Sequence, residues 1–256
     1  MNCVPNRELY LNLLKECLLD NIHGKQMNMG YHGDIREKAT KAQIDQGLYW
    51  PDRAHTMIGR HRLNNIQFCI EYCLENDIPG DLIETGVWRG GAVIFMKGVL
   101  EAHGIKDRKV FVADSFEGCP EPEPERYPHD IKSHGRRYNF YQISILSISK
   151  EEVEDNFRRY NLLDENVVFV EGFFEHSLHL VDSSNIAVLR LDGDMYSSTI
   201  QVLNQLYDRV PKGGFIIIDD WKVQGAFMAV RDFRAKREIQ DKIKKIDKMS
   251  AFWQKS

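Results

Sequence analysis

Two short acidic strings carry the most specific chemistry in this sequence. Asp192-Gly193-Asp194 closes the run Val188-Leu189-Arg190-Leu191, and Asp219-Asp220 closes Ile216-Ile217-Ile218. Each apolar run reads as a strand of parallel type, so two neighbouring strands end in paired carboxylates. Residues i and i+2 of a strand point to one side, which lets Asp192 and Asp194 face one cleft. Four carboxylates at one edge repel each other unless a cation lies among them. An all-oxygen set suits Mg²⁺ or Ca²⁺ rather than zinc. The alternative reading makes them N-caps, for example of the helix that follows Asp194.

A second string, Glu84-Thr85-Gly86-Val87-Trp88-Arg89-Gly90-Gly91, leaves a strand and enters a helix. Glycine permits a tight turn and lets backbone approach a ligand. The dinucleotide pattern G-x-G-x-x-G is absent, because Glu84 stands where its first Gly would be. A carboxylate there repels a pyrophosphate and attracts a cation or a ribose hydroxyl, which favours S-adenosylmethionine over a nicotinamide cofactor. Asp114 ends the next strand, Val110-Phe111-Val112-Ala113. An acidic residue about 20 positions after the glycines commonly accepts from ribose hydroxyls; the alternative is a solvated strand-end Asp. The nine histidines are scattered, and none pairs with a second on a helix face beside a carboxylate. There is no G-x-S-x-G and no P-loop.

The elements that must position these residues alternate from residue 81 onward. Strands are predicted at 81–85, 109–113, 167–170, 186–191 and 214–218, and helices at 91–102, 150–160, 198–209 and 226–236. Runs such as Phe215-Ile216-Ile217-Ile218 are apolar on both faces, as central parallel strands must be. The pattern implies a doubly wound α/β sheet in one domain over 1–256. Residues 244–246 and 251–254 could add an antiparallel pair. The first 80 residues read as helical, with helices at 8–19 and 55–76. Between them, 21–51 is polar and holds Gly24, Gly30, Gly33 and Gly47; it reads as a mobile cover with short helices. Residues 117–150, with Pro120, Pro122, Pro124 and Pro128, form a loop-rich insertion at the carboxyl edge.

Composition narrows the classes. The chain has 256 residues, 34 Lys and Arg against 38 Asp and Glu, and a net charge of −4. That balance does not suggest a nucleic-acid clamp. No apolar run is long enough to cross a bilayer. The opening residues lack the plan of a secretory leader. The five cysteines, Cys3, Cys17, Cys69, Cys73 and Cys119, contain no C-x-x-C and read as reduced packing residues of a cytoplasmic protein.

The same strings, together with Trp50-Pro51, Ala54-His55-Thr56-Met57-Ile58-Gly59, Ala113-Asp114-Ser115-Phe116-Glu117-Gly118 and Asp194-Met195-Tyr196, resemble the macrocin O-methyltransferase family, the TylF/MycF-type sugar O-methyltransferases. The likeness runs nearly end to end. It implies a class I methyltransferase fold with a mostly parallel seven-stranded Rossmann-like sheet, S-adenosylmethionine and Mg²⁺, and methylation of a deoxysugar hydroxyl on a natural-product glycoside. It places Asp192, Asp219 and Asp220 at the metal, Asp194 as general base, and Glu84, Thr85, Gly86, Asp114 and Ser115 around the donor. It further implies an N-terminal lid and a homo-oligomer, dimer or higher, with no nucleic-acid or membrane partner. Two departures concern the acceptor. Trp221 stands where the family usually has Tyr, and Phe174-Glu175-His176-Ser177-Leu178-His179 replaces a segment that usually ends in Leu-Pro. Rival readings are a metal-dependent methyltransferase acting on a phenol or catechol, and a non-catalytic donor-binding scaffold. If Asp194 were a metal ligand, His129 and His134 would be the next candidates for the base.

Overall fold

The computed structural model describes residues 6–130 and 140–256. Among the described residues, nine strands and eight α-helices follow one another: α1 (Asn6–Leu18), β1 (Met27–Met29), β2 (Ile35–Lys38), α2 (Lys41–Gln46), α3 (Arg60–Glu75), β3 (Asp81–Thr85), α4 (Gly91–Ala102), β4 (Val110–Asp114), α5 (Lys150–Arg159), β5 (Val167–Glu171), α6 (Phe174–Ser177), β6 (Ile186–Leu191), α7 (Tyr196–Leu206), β7 (Phe215–Ile218), α8 (Gln224–Lys236), β8 (Lys244–Lys245) and β9 (Ala251–Gln254). Seven of the strands form one sheet in the order β5-β4-β3-β6-β7-β9-β8. The first five of that row are parallel, and the final pair is antiparallel. The chain winds outward from β3 in one direction and from β6 in the other. The crevice at the carboxyl ends of β3 and β6 is therefore the topological switch point, where open α/β sheets bind ligands.

Alternate residues of the central strands feed two apolar layers. Val110 and Val112 of β4 pack with α1, α3, α4 and α5 on one face. Phe111 and Ala113 pack with α7 and α8 on the other. Burial on both faces explains why these strands read as continuous apolar runs. Cys69 and Cys73 are free and buried in the first layer. No helix among the described residues is long and apolar enough to cross a membrane.

The N-terminal cover holds the short helices expected of it and adds a hairpin between them. A single 3-10 turn runs over Asn21–His23, β1 and β2 pair as an antiparallel hairpin, and α2 is started by a capping box between Thr40 and Gln43. The turn at Tyr31-His32-Gly33-Asp34 is the reason for the hairpin: Gly33 has φ +82°, which ends any helix and reverses the chain. The helix expected at 55–76 begins only at Arg60. Residues before it form bends, and a Cβ on Gly59 would strike the Asp45 carbonyl oxygen. Part of the insertion, including His134, lies outside the described residues, as does Cys3.

His55 fastens this cover to the sheet layer. Its amide donates to the Leu18 carbonyl at 3.0 Å, and its carbonyl accepts from Gly91 N at 2.9 Å. Its Nδ1 lies 2.7 Å from the Tyr160 hydroxyl. Burial, then Arg159 and Arg89, hold the imidazole neutral down to about pH 4. The unfolded chain binds that proton near pH 6.5. Between these values the unfolded state carries more protons, so stability falls as pH drops through the window. Melting temperatures taken at pH 7 and pH 4.5 should therefore fall further for the wild type than for His55→Gln. Equal losses in both would show that this histidine does not set acid lability.

Candidate functional site

A cavity of about 900 Å³ opens at the switch point. Glu84, Gly86, Asp114, Ser115, Asp192, Asp194, Asp219 and Asp220 all lie on its wall, brought together from the ends of β3, β4, β6 and β7. Tyr31, Tyr49 and Trp50 of the N-terminal cover line it too. Thr85 is not on the wall. It is fully buried, and its hydroxyl donates to the Arg190 carbonyl at 3.3 Å.

The turn after β3 is held by backbone contacts that only glycine permits. Gly86 has φ +87°, and a Cβ there would run into the Asp192 carbonyl oxygen. Asp114 is the brace of the turn. Its Oδ2 accepts from Val87 N at 2.7 Å and its Oδ1 from Phe116 N at 2.8 Å. Burial raises its carboxyl above the usual range, against the pull of those amides. The Ser115 hydroxyl donates to the Gly118 carbonyl at 2.7 Å and accepts from Glu117 N at 3.1 Å, closing the next turn. Each oxygen of Asp114 keeps further acceptor capacity. Arg89 of the same loop donates to the carbonyls of Asp52 and Ala54 at 3.2 and 3.1 Å, and the Trp88 indole donates to Ile145 O at 2.7 Å. The glycine turn thus anchors both the root of the cover and the insertion.

The carboxylates surround two guanidiniums that the sequence reading missed. Arg190 is fully buried in β6. It pairs with Glu84, with Asp192 at 2.8 Å and with Asp219. Arg62, from the first turn of α3, donates to Asp219 Oδ2 at 2.6 Å. Burial works to raise Asp219, but the two guanidiniums outweigh it and hold its carboxyl below the usual range. Its neighbours behave oppositely. Burial, then Asp192 and Asp219, push Asp194 up to about 8. Burial, then Asp194, raise Asp220 well above the normal value. Burial pushes Glu84 up to about 8 against the pull of Arg190.

Asp192, Asp219 and Asp220 each present an oxygen within 4.8 Å of the others. Asp220 Oδ2 accepts from Asp194 N at 2.8 Å, while neither Asp194 oxygen has a hydrogen-bond partner among the described residues. Five carboxyl groups face two guanidiniums, one of which also serves Asp247. The set has the oxygen ligands that a divalent cation requires, and the raised carboxyls are what crowded acids show where no counter-ion relieves them. Glu84 Oε2 is buried without a partner on the same wall, as an acceptor awaiting a cationic ligand would be.

The strand argument for Asp192 and Asp194 needs correction. β6 ends at Leu191, and Asp194 has left-handed backbone, φ +58°. A bend, not strand alternation, brings both residues to the cavity. The N-cap reading also fails for α7. Its first amides, Tyr196 N and Ser197 N, donate to Asp130 Oδ1 of the insertion at 2.6 and 3.2 Å. His129 stacks beside Tyr196 with centroids 5.3 Å apart and is not on the cavity wall, whereas Phe174 and His176 are. Trp221 packs edge-on against Phe227 away from that wall.

Replacing Arg190 by Met leaves Glu84 and Asp192 without their guanidinium partner and Asp219 with Arg62 alone. Breaking a buried ion pair in this way typically costs about 3–5 kcal/mol. Urea unfolding should show a loss of that size for Arg190→Met. A loss below about 1 kcal/mol, the ceiling for an exposed pair, would mean that solvent already screens the cluster.

Comparison with known proteins agrees with this architecture. The family model described as macrocin-O-methyltransferase matches residues 7–255. The demethyldecarbamoylnovobiocin O-methyltransferase of Streptomyces niveus is 42% identical over 252 residues, covering 97% of this chain and 94% of that protein. The 8-demethyl-8-(2,3-dimethoxy-alpha-L-rhamnosyl)-tetracenomycin-C 4'-O-methyltransferase of Streptomyces olivaceus is 42% identical over 247 residues, covering 96% and 92%. The solved structure of the O-methyltransferase NovP superposes with a TM-score of 0.90 at 41% identity, over 98% of this chain and 100% of that one. The fold is that of the class I methyltransferases, and the chain is an O-methyltransferase belonging to the macrocin-O-methyltransferase family.

Proposed function

We propose that this protein transfers the methyl group of S-adenosylmethionine to a sugar hydroxyl of a natural-product glycoside, with Mg²⁺ held by Asp192, Asp219 and Asp220 and with Asp194 as the base. One observation carries the reading. A single cavity joins the unpartnered Glu84 oxygen beside the glycine turn to a carboxylate cluster whose Asp194 oxygens are free. The two relatives support the acceptor class: one is a demethyldecarbamoylnovobiocin O-methyltransferase, the other methylates a dimethoxyrhamnosyl tetracenomycin.

The donor is cationic at sulfur and at its amino group. Glu84 suits the ammonium, and Asp114, with acceptor capacity left over from the turn, suits the ribose hydroxyls. Ser115 shapes the adjoining wall, and Thr85 supports the turn from behind. Transfer is an in-line displacement. The acceptor oxygen forms a bond to the methyl carbon, the carbon–sulfur bond breaks with its electron pair going to sulfur, and the hydroxyl proton goes to a carboxylate oxygen of Asp194. A cation bound at the three aspartates would lower the acidity barrier of the hydroxyl and fix its orientation. Arg190 and Arg62 hold Asp192 and Asp219 in place for that purpose. The lid side, through Tyr49 and Trp50, excludes water and aligns the reactants, which supplies the proximity contribution.

Mass spectrometry after incubation with S-adenosylmethionine, Mg²⁺ and a panel of glycosides and catechols tests the acceptor class. A mass gain of one methyl group on glycosides is expected. Methylation of catechols alone would replace this reading with the phenolic one.

Two substitutions separate base from ligand. Asp194→Asn keeps size but cannot accept the proton, so kcat should fall by about 10² to 10⁴, the usual contribution of a positioned base, with Mg²⁺ affinity nearly unchanged. Asp220→Asn should instead raise the Mg²⁺ concentration needed for half-maximal rate. If extra Mg²⁺ restored Asp194→Asn, Asp194 would be a ligand and another group the base.

A further inference from the structure

We infer that Arg62 is a positioning residue that ties the cation site to the lid, so that filling the carboxylates tightens α2 over the cavity. The inference rests on the reading of Asp192, Asp219 and Asp220 as cation ligands.

Arg62 is buried at the start of α3, yet its guanidinium meets three separate parts of the chain. Nη1 donates to Asp219 Oδ2 at 2.6 Å. Nε donates to Asp247 Oδ2 at 2.7 Å. Nη2 donates to the carbonyls of Gln46 and Gly47, at the end of α2, at 3.3 and 3.5 Å. The backbone around it leaves no slack. Gly47 has φ +60°, and a Cβ on it would press on Gly59 N, so α2 ends directly against the entry to α3. Asp247 is fixed in turn. Its Oδ1 accepts from Met249 N and Ser250 N at 2.7 and 2.8 Å, and the Ser250 hydroxyl returns to Asp219 O at 2.6 Å.

The two kinds of contact differ in tightness. The carboxylate bonds are short, while those to the α2 carbonyls are long for N–H···O bonds and have room to close. A divalent cation at Asp219 draws off the negative charge that Arg62 now shares and repels the guanidinium. The remaining partners are Asp247 and the α2 carbonyls, which carry the partial negative charge of a helix end. Arg62 then grips the lid harder. Gly47, Leu48, Tyr49 and Trp50 all face the cavity, so a firmer α2 end firms that wall directly. Lysine could not substitute, because a single ammonium lacks the planar fork that reaches carboxylate and carbonyl together.

The test uses the full chain, with Mg²⁺ alone as the probe. Hydrogen exchange is followed over residues 41–50, and Mg²⁺ binding is measured separately by calorimetry. In the wild type, saturating Mg²⁺ should slow exchange in this segment several-fold. In Arg62→Lys, which keeps the charge, Mg²⁺ should still bind but the slowing should vanish. Arg62→Met should lose the slowing too, and if it fails to fold the Lys variant carries the test. Mg²⁺ binding to the wild type without any slowing, or slowing that survives in Arg62→Lys, would overturn the inference. An absence of Mg²⁺ binding in the wild type would instead remove the cation reading on which it rests.

Discussion

The site depends on one buried cation, the Arg190 guanidinium. Carboxylates in a low-dielectric wall cannot stay ionised without a counter-charge, and an arginine there is equally costly without partners. Glu84 from β3, Asp192 after β6 and Asp219 after β7 satisfy each other through it. A planar fork imposes fixed directions on its partners. The spacing between the donor side and the cluster side of the cavity is therefore set by a side chain in the strand between them.

Around that centre, the parts of the chain that cover the cavity are fastened to the parts that form its floor. Arg89 and Trp88 leave the glycine turn to hold the root of the N-terminal cover and the insertion. Asp130 leaves the insertion to hold the first amides of α7. These ties are polar and mostly to backbone, so they fix where a segment sits without demanding a particular apolar shape from it. The cavity wall can then vary in side chains while its frame stays put.

Much of this was legible in the sequence, for physical reasons that differ from element to element. β3, β6 and α4 have the bounds expected of them, because a two-sided apolar run and a glycine turn leave little freedom. The acidic strings pointed to the right edge of the sheet because strand ends there converge. What stayed hidden was whatever depends on contacts distant in sequence. Arg190 is masked by the apolar strand around it, although a lone charge in a central strand was itself a sign that acids must lie nearby. Arg62 offers no such sign, since helical arginines are ordinary and its partners come from 46–47, 219 and 247. The hairpin of β1 and β2 was missed because its strands are short and half-exposed or exposed, with little periodicity to read.

The cap that Asp130 places on α7 bears on how this enzyme could be re-engineered. Insertions at the carboxyl edge are natural places to exchange loops between relatives in search of new acceptors. Here the helix start borrowed from that loop makes the exchange less free than its irregular sequence suggests. A graft that replaces the segment around Asp130 removes a helix cap, a contribution of about 1 kcal/mol, and does so immediately beyond Asp194. Chimeras that retain Asp130 would keep the start of α7 in place.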